Sequence, residues 1–321
     1  MKLPQSFDFR SLEVFVAVVR AGGMTSAAKS LGLTQSAVSQ TIANLEDAIG
    51  TSLVDRSVRP LQLTPGGNIL FEKAKSLLSM ATDTVQSIRE PDGHALKTLH
   101  IAMADSLAFS IGPHLVNELH YMANHWRITS GLSIDHETAF NAGEIDMMFV
   151  AGDLTNVQQD NEHHLITTEQ FLVAAPASYQ GPTDTLEELY ASHKLVRFSL
   201  RSFTGRKVEQ QINRLQIKVP LWLEIDSPMA QLAMIGTGNA WGFTTPMFLL
   251  QAPDQLKNIR LFKPPKGTFP RHIFSVARAN QFGDIPERIT NASRKIISTK
   301  VIPKIRELAD WLPEHITVPD G

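Results

Sequence analysis

Residues 24–43 read MTSAAKSLGLTQSAVSQTIA, and this stretch decides the fold of the N-terminal region. Thr25 opens a short helix over 26–31, and Gly32 stops it. Thr34 is a good N-cap for a further helix running from Gln35 to about Ile49, with Gly50 at its C-terminus. Two helices joined by Gly32-Leu33-Thr34 have the length and turn of a helix-turn-helix. Val38, Ile42, Leu45 and Ile49 form one apolar stripe that leans on the preceding helices. The opposite face offers Gln35, Ser36, Ser39 and Gln40, short hydrogen-bonding side chains at the helix N-terminus, where a recognition helix meets base edges. An ordinary three-helix bundle with a polar outer face fits the same residues.

On the N-terminal side, Leu12, Phe15, Val16 and Val19 share one helical face, and Gly22-Gly23 ends that helix. On the C-terminal side, strand-like pieces at 52–54 and 61–63 flank Arg56, Arg59 and Pro60. Thr64-Pro65 then starts a long helix, an N-cap followed by proline at the first helical position. Leu70, Ala74, Leu77 and Ala81 repeat along it, Ile88 returns seven residues later, and polar Thr84 interrupts the register. That seam wants a second copy of the chain, or it lies on its own domain. Pro91-Asp92-Gly93-His94 reads as a hinge.

Beyond the hinge, strands alternate with helices. Strands are expected at 98–103, 127–132 and 145–150, with helices over 110–122 and 134–142 between them, a βαβαβ pattern that makes an open α/β sheet. Further strands are expected at 171–175, 194–198, 222–225, 241–245 and 272–277, and helices at 206–215, 230–236 and 286–305.

The chain has 321 residues, 43% of them hydrophobic, a formal net charge of −2 and no cysteine. Its length suits about two domains of roughly 100–200 residues. Without cysteine there are no disulfides, thiolate zinc sites or cysteine nucleophile. No run approaches the roughly 18 apolar residues of a membrane span, and residues 1–10 lack the apolar core of a signal peptide, so a cytoplasmic protein is expected. The near-neutral total gives no electrostatic case for nucleic acid. Residues 1–66 hold six basic and five acidic side chains, so phosphate contacts rest on Lys29, Arg56 and Arg59, and two paired copies would double a small charge.

Leu12-Glu13-Val14-Phe15, Ala27-Ala28, Leu33-Thr34-Gln35-Ser36-Ala37-Val38-Ser39, Leu45-Glu46, Gly50, Leu53, Arg56 and Leu63-Thr64-Pro65-Gly66 together resemble the N-terminal signature of LysR-type transcriptional regulators. Leu99-His100-Ile101-Ala102 with Asp105-Ser106-Leu107, Gly143-Glu144-Ile145-Asp146, Ile225-Asp226-Ser227, Gly236-Thr237-Gly238 and residues 241–246 resemble segments of that family's effector domain. The resemblance implies an α/β protein with an N-terminal all-α winged helix-turn-helix over 1–66 and a dimerisation linker helix and hinge over 67–96. It also implies a periplasmic-binding-protein-like effector domain over 97–321, with one α/β subdomain from about 97–165 and 268–321 and the other from about 166–267. The implied activity is ligand-responsive transcription regulation by a homodimer or homotetramer that contacts double-stranded DNA, a small-molecule effector and the transcription machinery. No cofactor, metal, membrane or catalytic residue is implied.

By this resemblance Thr25, Lys29, Thr34, Gln35, Ser36, Ser39, Gln40, Arg56 and Arg59 are the DNA contacts. The recognition helix departs from the family in its charge, because Gln40 and Asn44 stand where arginine is common, and Val54 replaces the usual phenylalanine before the wing. In open α/β sheets ligands sit at the carboxyl ends of strands, which places Asp105, Ser106, Leu107 and Ser133 in a cleft. The positions Ser106, Leu107 and Ser133 match family effector contacts; Ser199, Arg201, Phe203 and Thr245 are added from the other subdomain. Ser106 also reads as a helix cap and Arg201 as a solvated loop charge. If Arg201 lines the cleft, its guanidinium favours an anionic effector.

An enzyme and a free-standing solute receptor are the rival classes. His114, His120 and His125 step by six and five, off any single helical face, and no HExxH, G-x-S-x-G or P-loop occurs. Gly236-Thr237-Gly238 follows a helix rather than opening one, so it reads as a helix stop.

Overall fold

The computed structural model describes residues 4, 6–55, 61–89, 96–152, 161–265, 267–279 and 281–319. The chain divides into two compact units, Met1–His94 with Asn141–Glu144, and Ala95–Phe140 with Ile145–Gly321.

The first unit contains α1 (Phe9–Arg20), α2 (Met24–Leu31) and α3 (Gln35–Ile49), a short ribbon of β1 (Val54–Asp55) and β2 (Gln62–Leu63), and α4 (Pro65–Arg89). Asp8 caps α1 by accepting from the Ser11 backbone N–H at 2.7 Å while the Ser11 hydroxyl accepts from the Asp8 N–H at 3.1 Å. Gly32 ends α2 at φ +66°, the left-handed conformation that lets the chain turn at once toward the next helix. Thr34 then caps α3, its hydroxyl oxygen accepting from the Ala37 N–H at 3.2 Å.

Val38, Ile42 and Leu45 of α3 are fully buried against Val14, Phe15 and Val18 of α1 and Ala27 and Ala28 of α2. Each such aliphatic side chain, fully withdrawn from water, stabilises the unit by about 1.5–3 kcal/mol. Ile49, the last residue of the expected stripe, is exposed, because it sits in the final turn of α3 beyond the packed helices. The Glu46 carboxylate accepts from the N–H groups of Leu53 at 2.8 Å and Val54 at 3.2 Å, fastening the ribbon to α3. The wing arginines Arg56 and Arg59, the hinge at 91–94 and the Ile88 side chain lie outside the described residues.

Thr64 caps α4 as expected, accepting from the Gly67 N–H at 3.0 Å and donating to the Ser52 carbonyl at 2.6 Å. Ala74 of α4 packs on Leu12 and Val16 of α1, so the first half of the seam lies on its own unit. Leu77 and Val85 remain 38% and 49% exposed.

The second unit holds two sheets. In chain order its elements are β3 (Leu96–Met103), α5 (Asp105–Ser110), α6 (Gly112–Leu119), β4 (Ala123–Ser130), α7 (Ser133–Asn141), β5 (Met147–Ala151), β6 (Asn161–Gln170) and β7 (Leu172–Pro176). There follow α8 (Glu187–Ser192), β8 (Lys194–Phe198), α9 (Phe203–Arg214), β9 (Leu223–Ile225), α10 (Pro228–Met234), β10 (Ala240–Thr244) and α11 (Pro246–Leu249). The last are β11 (Ile259–Phe262), β12 (Pro270–Arg278), α12 (Ile285–Ile296), α13 (Ile302–Leu308) and β13 (Ile316–Thr317).

One sheet runs β13-β6-β12-β5-β3-β4 and the other β11-β7-β10-β8-β9. The expected βαβαβ is present, with β3 parallel to both β4 and β5. β5 is buried along its whole length, as its apolar run requires of a strand covered on both faces. The chain leaves the first sheet after Gln170 and returns to it at Pro270, and the rings of Phe171 and Phe269 stack 4.4 Å apart where these two crossings meet.

Two expectations are corrected and a third is met. The single helix expected over 110–122 is two, because α5 ends at Ser110 and α6 restarts with Pro113 in its first turn, followed by a 3-10 turn at His120–Met122. The strands β6 and β11 were not expected; β6 carries NEHHLITTEQ, whose outward positions are polar and mask its inward ones. Gly236-Thr237-Gly238 is indeed a helix stop, closing α10 in a π turn with Gly238 at φ +98°.

A Cβ on Gly67 would run into the backbone carbonyl of Leu53, which the ribbon holds in place. Gly67→Ala is expected to destabilise the N-terminal unit by about 1–3 kcal/mol in urea unfolding followed by circular dichroism; an unchanged midpoint would contradict this packing.

Candidate functional site

The outer face of α3 has the expected composition. Gln35, Ser36 and Gln40 are exposed and Ser39 is half-buried, while Thr25 and Lys29 of α2 and the cap Thr34 are also exposed. The Thr34 and Ser36 hydroxyls pair at 3.0 Å, and the Gln40 amide donates to the Asn44 side-chain oxygen at 2.8 Å. No acidic residue stands in the first turn of α3, so no side-chain charge opposes an anion at its N-terminal N–H groups.

In the second unit the carboxyl ends of β3, β4 and β5 face those of β8 and β9 across a cavity of about 50 Å³. Ala104, Asp105 and Ser106 follow β3, Gly131, Leu132 and Ser133 follow β4, and Ala151 ends β5. From the other sheet come Phe198, Ser202, Phe203, Thr204, Asp226, Pro228 and Phe248, and Arg271 of β12 completes the wall. A water needs about 10–15 Å³ by the same measure, so the space holds a group of only a few heavy atoms.

Arg271 is 2% exposed and Glu169 fully buried, and they form an ion pair at 2.7 Å between directly paired positions of β12 and β6. The Glu169 carboxylate also accepts from the Thr245 hydroxyl at 3.1 Å and from the Met247 N–H at 2.7 Å. A second guanidinium nitrogen of Arg271 donates to the Ser106 hydroxyl oxygen at 3.3 Å, and the group lies 4.8 Å from the centre of the Phe248 ring. Its Nε has no hydrogen-bond partner among the described residues.

The structure brings Ser106, Ser133 and Phe203 to the cavity wall. It does not bring the other four expected residues there. Leu107 points into the apolar core, one position past the residue that faces the cavity. Ser199 shapes the loop before α9, its hydroxyl accepting from the Arg201 N–H at 3.2 Å and its carbonyl from the Ser202 hydroxyl at 2.8 Å. Thr245 stands behind Arg271, bound to Glu169. Arg201 is a solvated charge: its side chain is 66% exposed and meets Asp135, itself 62% exposed, at 3.5 Å, a contact worth less than about 1 kcal/mol.

Arg271, Glu169, Thr204, Asp226 and Phe248 were missed. The signal for the first two is parity. Arg271 alternates with the inward residues Ile273 and Ser275, and Glu169 with Thr167, so each charge sits on the buried face of its strand.

His136 of α7 is buried, and its Nδ1 has no partner among the described residues. Burial holds its pKa below the usual imidazole value, against the pull of Asp135 and Asp105, and His100 adds to the lowering. His315 is lowered in the same way, by burial and then by Lys263. Both rings fold as neutral bases, so the unfolded chain takes up their protons first. Their contribution is complete above the unfolded value of about 6.5 and is lost as pH falls below it. The unfolding free energy of the full chain is therefore expected to drop between pH 7 and pH 5, and His136→Gln to flatten that slope; an identical slope in the variant would contradict the assignment.

The comparisons with known proteins agree with this geometry. A model described as "Bacterial regulatory helix-turn-helix protein, lysR family" matches residues 9–68, and one described as "LysR substrate binding domain" matches residues 92–284. The chain is 23% identical over 295 residues to the HTH-type transcriptional regulator YjiE of Escherichia coli K12, covering 90% of this chain and 93% of that protein. It is 32% identical over 175 residues to the HTH-type transcriptional regulator BenM of Acinetobacter baylyi, covering 54% and 56%. The structure of full-length CbnR complexed with its target DNA superposes with a TM-score of 0.62 at 21% identity, over 90% of this chain and all of that one. The chain belongs to the LysR family of ligand-responsive, DNA-binding transcriptional regulators.

Proposed function

We propose that this regulator reads DNA with the first two turns of α3 and receives its effector in the cavity that Arg271 walls. Gln35, Ser36, Ser39 and Gln40 meet base edges in the major groove. Thr25, Lys29 and Thr34 meet phosphates, as do the wing arginines Arg56 and Arg59. The split at 1–66, 67–96 and 97–321 assigns reading, pairing and sensing to successive segments. The exposed Leu77 and Val85 of α4 give the pairing segment its apolar contact.

One observation carries the sensing half of this reading: a buried guanidinium with an unfilled donor position walls a cavity between two rows of strand ends. A group bound there touches both sheets and favours one relative arrangement of them, which is how a small molecule shifts a two-state protein. Among the described residues no helix is long and apolar enough to cross a membrane, and we place the regulator in the cytoplasm with its DNA.

A mobility-shift assay on DNA adjoining the chain's own gene tests the reading half. The full chain is expected to retard that DNA in a salt-sensitive manner. Gln35→Ala with Ser39→Ala is expected to weaken it by about 1–3 kcal/mol per lost base contact, with the unfolding of the effector unit unchanged. Retention unaffected by both substitutions would place the reading face elsewhere.

A further inference from the structure

We infer that the effector is a small zwitterion, bound with its carboxylate inward against Arg271 and its ammonium outward against Asp105 and Asp226. This rests on the reading of the cavity as the effector site and adds to it the chemical class of the ligand.

The inner wall offers hydrogen-bond donors. The Nε of Arg271 is buried and unpartnered among the described residues. The Ser106 oxygen is occupied by the Arg271 guanidinium, which leaves the hydroxyl hydrogen to donate. The hydroxyls of Ser133 and Thr204, on opposite sides of the cavity, make no hydrogen bond among the described residues. Ser202 is not available in this way, because its hydroxyl accepts from the Gly205 N–H and donates to the Ser199 carbonyl. Three hydroxyls and a guanidinium N–H on residues that line a space for a few heavy atoms are enough donors for the acceptor positions of one carboxylate.

The charged side chains disfavour a plain anion. Arg271 is already neutralised by Glu169 at 2.7 Å, and Asp105 from one sheet and Asp226 from the other line the cavity with no ion pair among the described residues. Among the charged side chains one cation is therefore set against three carboxylates, and an anion with no positive end leaves the two unpaired aspartates without a partner. Asp226 is exposed and Asp105 partly so, while Arg271 is buried, so the acidic groups lie on the solvent side of the donors. A ligand with an ammonium a short distance from its carboxylate satisfies both ends.

The test is thermal unfolding of the full chain with each standard amino acid at about 10 mM, compared with its deaminated acid and its decarboxylated amine. At a hundred times its Kd, a binder raises the melting temperature by about 5–10 °C. The expected result is such a shift for at least one amino acid, absent for both of its single-charge analogues, with a Kd at least about tenfold weaker in Asp226→Asn. An equal shift from the deaminated acid or from the amine, or no shift from any amino acid, would overturn the inference. Ser133→Trp, or Ser133→Leu should the larger ring unfold the unit, separates the two levels of the argument. If the amino-acid shift survives there, the cavity is not the effector site. If it is lost there while the deaminated acid binds the parent chain equally well, only the zwitterion is wrong.

Discussion

The buried ion pair between Glu169 and Arg271 is the contact on which the effector unit depends. Two charges withdrawn from water cost several kcal/mol each unless their remaining hydrogen-bonding positions are filled. Here Glu169 receives Arg271, the Thr245 hydroxyl and the Met247 N–H, while Arg271 reaches onward to Ser106 and lies over Phe248. The pair joins β6 to β12 next to the two places where the chain leaves and re-enters the first sheet. It also connects α5 of one sheet with α11 beside the other, so the same side chains fix the crossing and the cavity wall.

On the proposed reading, a molecule in the cavity sits beside Arg271 and touches groups that follow strands of both sheets. Its binding energy is then different in arrangements that separate the sheets, and that difference is all that can be passed on. In the other unit, the reading face is held by short-range capping and packing: Thr34 sets the start of α3, and Glu46 ties its later turns to the ribbon. On the same proposed reading, the low charge of that face makes affinity depend on joining copies, for which the exposed Leu77 and Val85 of α4 are the apolar residues on offer.

Elements governed by local signals were legible in the sequence. The caps Thr34 and Thr64, the stops Gly32 and Gly50 and the stripe Val38, Ile42 and Leu45 act within a few residues of the turns they specify. The apolar run of β5 announced itself for the same reason. The cavity was only half legible. Ser106, Ser133 and Phe203 follow from their place after strands or at the start of a helix, whereas Arg271 and Glu169 meet 102 positions apart in the sequence. β6 hid its buried Glu169 among polar neighbours, and without that strand the partner of Arg271 could not be read. Arg201 drew attention as an arginine in a cleft loop, yet loop position does not tell a solvated guanidinium from a buried one.

Glu169 and Arg271 act as one unit. A double-mutant cycle of Glu169→Gln, Arg271→Gln and both together, followed by urea unfolding of the full chain, tests it most directly. Each single substitution is expected to cost about 3–5 kcal/mol by leaving a buried charge unpaired, and the double variant much less than their sum. Additive costs would show that the two charges act independently.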